Sequence, residues 1–321
     1  MQRFEDLLKL FQTRFQQAHF PETPATLYEP NNYFLSLGGK RIRPVLCLMG
    51  NELFETLHDD AYAVGNAIEL FHNFSLIHDD IMDNAPLRRG KTTVHEKYGL
   101  STAILSGDVM LVKAYDYLSK VQVRYLPQLL HLFNKTAAEV CEGQQLDIDF
   151  QHLSKVALED YIHMITLKTS VLVAASLKMG AIIGGASEGN QNHLYQFGRD
   201  LGIAFQIQDD YLDAFGDPSK VGKQAGGDIL ENKKTFLLIR ALEVCKGEAA
   251  EELNRLLESN PVDKVQQVLK IYETCGVKEW ANQLKQQYFE SALLHLDAVA
   301  VVGTRKQPLK ELAHLLLQRE Y

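Results

Sequence analysis

The sequence predicts an all-α protein, and three observations carry that prediction. Apolar residues recur at helical spacing along much of the chain. Strand-type alternation over six or more residues is hard to find. No proline occurs between Pro127 and Pro218, which suits long uninterrupted helices. The first stripe is Phe4, Leu7, Leu8, Phe11 and Phe15. Leu111, Tyr115 and Leu118 form a second, and Leu284, Tyr288, Ala292 and Leu296 a third. Pro21, Pro24, Pro30, Pro44 and Pro86 punctuate the N-terminal third. Asn84-Ala85-Pro86 predicts the end of a helix near Asp83, and Gly216-Asp217-Pro218 the end of another near Asp213. Gly222 to Gly227 reads as a Gly-rich polar loop. With no low-complexity linker, fixed-period repeat or clear boundary, one helical domain over 1–321 is the simplest reading.

The chain has 321 residues, 46% apolar and 23% charged, ordinary values for a globular protein. Its 33 basic and 41 acidic residues leave a net charge of −8. That argues against a general nucleic-acid binder and, on its face, against anionic ligands. Cys47, Cys141, Cys245 and Cys275 form no CxxC pair, so the spacing predicts neither a zinc ribbon nor a disulfide framework. Isolated cysteines fit a reducing compartment. No basic flank precedes an apolar N-terminal stretch, so no signal peptide is visible. The longest apolar region, 171–186, carries Lys178 and several glycines, which argues against a membrane span. The expected location is the cytoplasm.

The chemistry concentrates in two matched runs. Asp79-Asp80-Ile81-Met82-Asp83 is one DDxxD, and Asp209-Asp210-Tyr211-Leu212-Asp213 is the other, 130 residues later. Asp79 and Asp83 are four apart and share a helix face, as do Asp209 and Asp213. Each pair offers oxygen ligands to a hard cation, and Mg²⁺ is served by a few carboxylates plus water and phosphate. An acidic run is usually a solvated helix face. These two instead grow out of apolar segments and stop just before predicted helix ends. Carboxylates there meet the negative end of the helix dipole, at about 0.3–1 kcal/mol each. Two such clusters point to cations.

Basic residues flank both: Lys40, Arg41 and Arg43; then Arg88, Arg89 and Lys91; then Lys223, Lys233 and Lys234. Any one run alone reads as a solvated face. No GxxxxGK[ST] motif occurs, so a P-loop is not indicated. Aspartates, Mg²⁺ and clustered cations together describe a diphosphate site.

The segments GGKRIRP (38–44), FHNFSLIHDDIMDNAPLRRGKTTVHEKYG (71–99), LKTS (167–170), FQIQDDYLD (205–213) and GKQAGGDILENKKTFLL (222–238) resemble, in order, the short-chain polyprenyl synthetase family of trans-isoprenyl diphosphate synthases. The resemblance implies an all-α fold of about a dozen helices around a central cavity, usually as a homodimer. It implies that Asp79 and Asp83 bind Mg²⁺ from one wall and Asp209 from the other, with Asp213 supporting. Asp80 and Asp210 point about 100° away from their neighbours and are weaker ligand candidates. Lys40, Arg43 and His72, with Arg89, match residues that hold isopentenyl diphosphate. His72, in an apolar segment, also suits a plain core role. Arg88, Lys168, Lys223 and Lys233 match those on the allylic diphosphate; Thr169 and Gln206 match polar groups beside the allylic carbon.

The implied reaction ionises the C–O bond of an allylic diphosphate (dimethylallyl, geranyl or farnesyl) with roughly three Mg²⁺ ions opposing the aspartates. The cations then meet the leaving group, a preorganised electrostatic stabilisation. The double bond of isopentenyl diphosphate attacks, and a proton leaves to the released diphosphate. No side-chain base is required. Water must be excluded, and the 222–227 loop, carrying Lys223, is a plausible lid.

Product length should be set upstream of Asp79. Phe74 lies five residues before it, roughly 7.5 Å along a helix, and Ser75 four. One aromatic at this pair of positions, with no insertion inside DDIMD, resembles the archaeal geranylgeranyl pattern. A twenty-carbon product is expected, with fifteen the close alternative because Phe71 could narrow the tunnel. A terpene cyclase usually carries a different second metal motif and has no use for GGKRIRP; a regulatory subunit tends to lose one cluster. Phe74 speaks against a long-chain synthase. Asn232 stands where many relatives have glycine, which leaves the shape of the loop before Lys233 open.

Overall fold

The computed structural model describes residues 1–216 and 226–318. The elements run α1 (Phe4–Phe15), α2 (Ala25–Ser36), α3 (Ile42–Glu52), α4 (Asp59–Met82), β1 (Leu87–Arg88), β2 (Lys91–Thr92), α5 (Val94–Tyr98), α6 (Leu100–Leu118) and α7 (Leu126–His152). They continue α8 (Leu158–Ile165), a π-turn (Thr166–Ser170), α9 (Val171–Ile183), α10 (Glu188–Phe215) and α11 (Gly227–Leu230). The last are α12 (Phe236–Val244), α13 (Glu248–Glu258), α14 (Lys264–Thr274), α15 (Val277–Ala298) and α16 (Gly303–Leu317). The fold is all-α, as predicted. Two departures are local: Pro30 sits inside α2, and a π-turn joins α8 to α9 where the sequence offered no signal.

The chain divides into two compact units: residues 1–133 with 176–191, and 134–175 with 192–321. In the first, α4 is the central helix. Residues from Ala61 to Phe71 bury most of their side chains, and α4 packs chiefly against α6 and α3. The first stripe behaves as its spacing predicts: Leu7, Phe11 and Phe15 of α1 are buried. A methyl group at Gly180 would lie 1.9 Å from the carbonyl oxygen of Cys47. Only glycine permits that close approach between α3 and the second half of α9.

In the second unit, α12 is the buried element. Phe236, Leu237, Leu238 and Ile239 are all under 5% exposed, and α12 packs against α8, α14 and α15. Ala292 and Leu296 of the third stripe are buried on α15. Cys245 and Cys275, just beyond α12 and α14, form a disulfide with Cα atoms 5.7 Å apart. This corrects the cysteine reading. The partners lie 30 residues apart and meet because the two helices end side by side, a tertiary fact that spacing does not encode. The inference of a reducing compartment loses that support. Residues Leu158–Ile183 are long and apolar enough to cross a membrane by length and composition, but 72% of their most apolar window is buried within the protein.

Candidate active site

One cluster grows from the C-terminal end of α4. The helix stops where expected: Asp83 caps it, donating its N–H to the Asp79 carbonyl at 2.8 Å, and Asn84 turns left-handed at φ +49°. The aspartates then divide by task. Asp80 is 1% exposed and is gripped by Arg88, whose Nε lies 2.8 and 2.9 Å from its two oxygens and whose Nη2 lies 2.8 Å from Oδ1. Asp79 is half-buried and Asp83 exposed, on the face Asp80 has left. Asp80 points away from Asp79 and Asp83, as about 100° of rotation per residue requires, and Arg88 is the group it meets. This residue sits on a β-hairpin whose turn, Arg89-Gly90, has φ +53° and +73°, a turn with both central residues left-handed.

Arg89 reaches back from that turn and donates to the carbonyl of Gly38. A Cβ at Gly39 would lie 3.1 Å from its guanidinium, so the paired glycines let the loop close over the arginine. The intervening basic residues also separate by role. Arg41, 9% exposed, forms an ion pair with buried Glu69 and donates to the Leu35 carbonyl at 3.1 Å. It anchors the loop. Arg43 lies 3.1 Å from His72 Nε2 through Nη1. Burial, then the positive charge of Arg43 and Arg89, holds the His72 pKa well below its ordinary value. His72 is thus a neutral acceptor that orients Arg43. Lys40 is exposed. Glu69, a buried acid four residues before Asn73, from which it accepts at 2.7 Å, and the anchoring role of Arg41 carry no visible signal in the sequence.

Upstream of Asp79 the side chains are aromatic. Phe71 is 1% exposed, and its ring centre lies 5.7 Å from that of Phe74 and 5.3 Å from that of Phe133. Phe74 in turn stacks edge-on with His78 at 4.8 Å. Ser75 turns its hydroxyl back to the His72 carbonyl at 2.9 Å.

The other cluster is built on the π-turn, α10 and α11. The wider π-turn faces Gly143 of α7, where a Cβ would lie 2.3 Å from the Lys168 nitrogen. Lys168 Nζ pairs with Asp147 at 2.5 Å. The Thr169 hydroxyl donates to Gln206 Oε1 at 3.2 Å, and Gln206 Nε2 donates to Asp210 Oδ1 at 2.9 Å. The other Asp210 oxygen accepts the Tyr161 hydroxyl. Burial pushes the Asp210 pKa up, opposed by Lys233 and by these two donors. Asp210 is therefore a structural anchor, as Asp80 is in the first cluster. Asp209 is exposed. Asp213 accepts the Asp228 N–H at 3.0 Å. Lys233 Nζ stands 3.8 Å from Asp228 Oδ1. Burial raises the Asp228 pKa to about 7, against the lowering charge of Lys233. Asp210, Asp213, Asp228, Lys233 and Tyr272 line one pocket in this unit. Asp147, Tyr161 and Asp228 were not foreseen; each is an isolated residue outside the DDxxD runs. Lys223, most of the 222–227 loop and Asp217-Pro218 lie outside the described residues.

The donor sets suit a hard cation. Both clusters offer carboxylate oxygens on one helix face. Mg²⁺ wants that arrangement, because it retains water and substrate oxygens.

Two carboxylate faces, each beside guanidinium or ammonium groups, have the chemistry that suits a metal-bridged diphosphate ester. The polyprenyl synthetase profile matches residues 24–275. The chain is 38% identical to the short chain isoprenyl diphosphate synthase of Methanothermobacter thermautotrophicus, over 93% of this chain and 92% of that one. It is 37% identical to the geranylgeranyl diphosphate synthase of Methanosarcina mazei, over 93% and 91%. A crystal structure of a geranylgeranyl pyrophosphate synthase superposes with a TM-score of 0.95 at 41% identity, covering 100% of both chains. The chain belongs to the polyprenyl synthetase family, and it is an enzyme, a short-chain trans-prenyltransferase.

Proposed function

We propose that this enzyme condenses isopentenyl diphosphate with an allylic diphosphate, with Mg²⁺ at the carboxylate faces, and that its main product is geranylgeranyl diphosphate. The observation that carries the reading is the division of labour within DDxxD. Arg88 holds Asp80, and Tyr161 and Gln206 hold Asp210; Asp79 with Asp83 and Asp209 with Asp213, each pair on one helix face, are the proposed ligand pairs. When bound, Mg²⁺ supplies positive charge to the departing diphosphate.

The residues of the chain do the rest. Arg43, aimed by neutral His72, joins Lys40 and Arg89 on isopentenyl diphosphate. Lys168 and Lys233, with Lys223, meet the allylic diphosphate. Arg88 contributes as well, because five N–H donors allow it to serve Asp80 and a phosphate together. Thr169 and Gln206, locked into one hydrogen-bonded chain, present oxygens to the developing allylic cation. Phe74 is the floor of the product tunnel. One specific observation favours the fifteen-carbon alternative: Phe71 packs directly on Phe74 and doubles the aromatic barrier.

The proposal includes a single catalytic domain, a cytoplasmic location and a homodimer. Support for the homodimer comes from α6, which exposes Leu100, Ile104, Leu105 and Val112 at 42–67%. The deciding experiment incubates purified enzyme with labelled isopentenyl diphosphate and each allylic primer in turn. A dominant twenty-carbon product is expected; a dominant fifteen-carbon product overturns the assignment, and no condensation at all overturns the function.

A further inference from the structure

We propose that Lys264 is a positioning residue for Lys233 and acts through the side chain of Asn232. The proposal rests on the reading of Lys233 as an allylic-diphosphate contact. Asn232 resolves the loop shape that the sequence left open. It holds φ +53°, the left-handed region that glycine enters freely and asparagine enters more readily than most residues. Glycine there would supply only the turn. Asparagine adds an amide, and both ends of that amide are used. Its Nδ2 donates to the Leu257 carbonyl at 3.0 Å, and its Oδ1 accepts from Lys264 Nζ at 2.8 Å.

Lys264 is an unusual partner. It opens α14, is 0% exposed, and its second acceptor is another neutral amide, Asn260 Oδ1, at 2.8 Å. Burial holds its pKa below the ordinary lysine value. A buried ammonium is costly unless hydrogen bonds replace its water, and an apolar residue would fill the same volume without that cost. What the lysine adds is a fixed donor for Asn232.

The pinned residue is the one immediately before Lys233. The turn is closed by the Lys233 N–H to the Asp228 carbonyl at 2.9 Å and the Thr235 N–H to the Lys233 carbonyl at 2.8 Å. The ammonium of Lys233 then stands beside Asp228, at the pocket it shares with Asp213. Three helices thus converge on one backbone position: α11 through the turn, α13 through Leu257, and α14 through Lys264. Such a device lowers the cost of ordering Lys233 when a diphosphate arrives.

The test compares Lys264→Met, Asn232→Gly, the double variant and Lys233→Ala in steady-state kinetics with both substrates varied. Lys264→Met and Asn232→Gly are each expected to raise the KM for the allylic diphosphate about tenfold, with the isopentenyl KM within about twofold of wild type. The double variant should match either single one, since both break one linkage. Equal rises in both KM values, a fall in kcat alone, or a multiplicative effect of about a hundredfold in the double variant overturns the proposal. Should Lys264→Met not fold, Asn232→Gly decides alone: it keeps the turn and lacks the amide, and an unchanged allylic KM overturns the proposal. Lys233→Ala separates the two levels. If it leaves the allylic KM unchanged, the reading of Lys233 falls. If it raises that KM while the other variants do not, only the linkage falls.

Discussion

Within each DDxxD the second aspartate is held by the protein, Asp80 by Arg88 and Asp210 by Tyr161 and Gln206, and the outer two are the proposed metal ligands. Substitutions should separate these roles. Asp79→Ala or Asp209→Ala is expected to lower kcat by two orders of magnitude or more, roughly 3 kcal/mol of transition-state stabilisation, with an unchanged circular dichroism spectrum. Asp80→Ala removes the partner of a partly buried arginine and should also destabilise the fold, by about 3 kcal/mol, read as a lower urea midpoint. Phe74→Ala is expected to shift the product distribution to longer chains, read by reverse-phase separation of labelled products; a distribution like that of wild type would remove Phe74 as the floor. The shared face of the outer aspartates was legible in the sequence because a four-residue spacing fixes a helix face. The role of Arg88 as the clamp on Asp80 was not, because the link depends on a two-residue turn that folds the chain back.

At the scale of elements, helix periodicity gave the stripes of α1 and α15, and the asparagine-proline signal gave the end of α4. Three features escaped it: the π-turn, the left-handed Asn232 and the Cys245–Cys275 bond. Each is set by what packs against a segment rather than by the segment itself. Gly143 is the clearest case. Gly143→Ala places a methyl group against the Lys168 backbone at 2.3 Å. It should cost at least 1–3 kcal/mol of stability, about the cost of overpacking, and lower activity with it. A second prediction concerns α1. His19, just beyond it, bonds through Nε2 to the Phe15 carbonyl at 2.8 Å and through Nδ1 to the Tyr117 hydroxyl at 2.7 Å. The carbonyl can only accept, so the neutral ring donates from Nε2 and accepts at Nδ1. Burial is the main cause of a His19 pKa near 4. A folded pKa below the unfolded value means this stabilisation is complete above about pH 6.5. It is lost as pH falls toward 4, with a slope of at most about 1.4 kcal/mol per pH unit. Urea unfolding between pH 7.5 and 5 should show a shallower pH dependence for His19→Gln than for wild type.

For the whole molecule, net charge was a poor guide to the ligand. The acidity that matters lies in two short runs, and the cations lie in a few segments around them. Global composition averages over that placement. The exposed leucines and valine of α6 carry the assembly prediction. Leu105→Glu with Val112→Glu should convert the proposed dimer to a monomer in light scattering, because an introduced charge cannot be buried without a partner.

The π-turn at Thr166–Ser170 has a consequence for insertions and deletions. A π-turn holds one residue more than the α-helical turn it replaces, and one residue is worth about 100° of rotation. The extra residue is taken up locally in a wider turn. That turn sets Lys168 beside Asp147 and Thr169 beside Gln206. Deleting a single residue from 166–170 would restore an ordinary α-helical turn, and both side chains would lose those partners. In this segment a change of length should do more harm than a change of side chain.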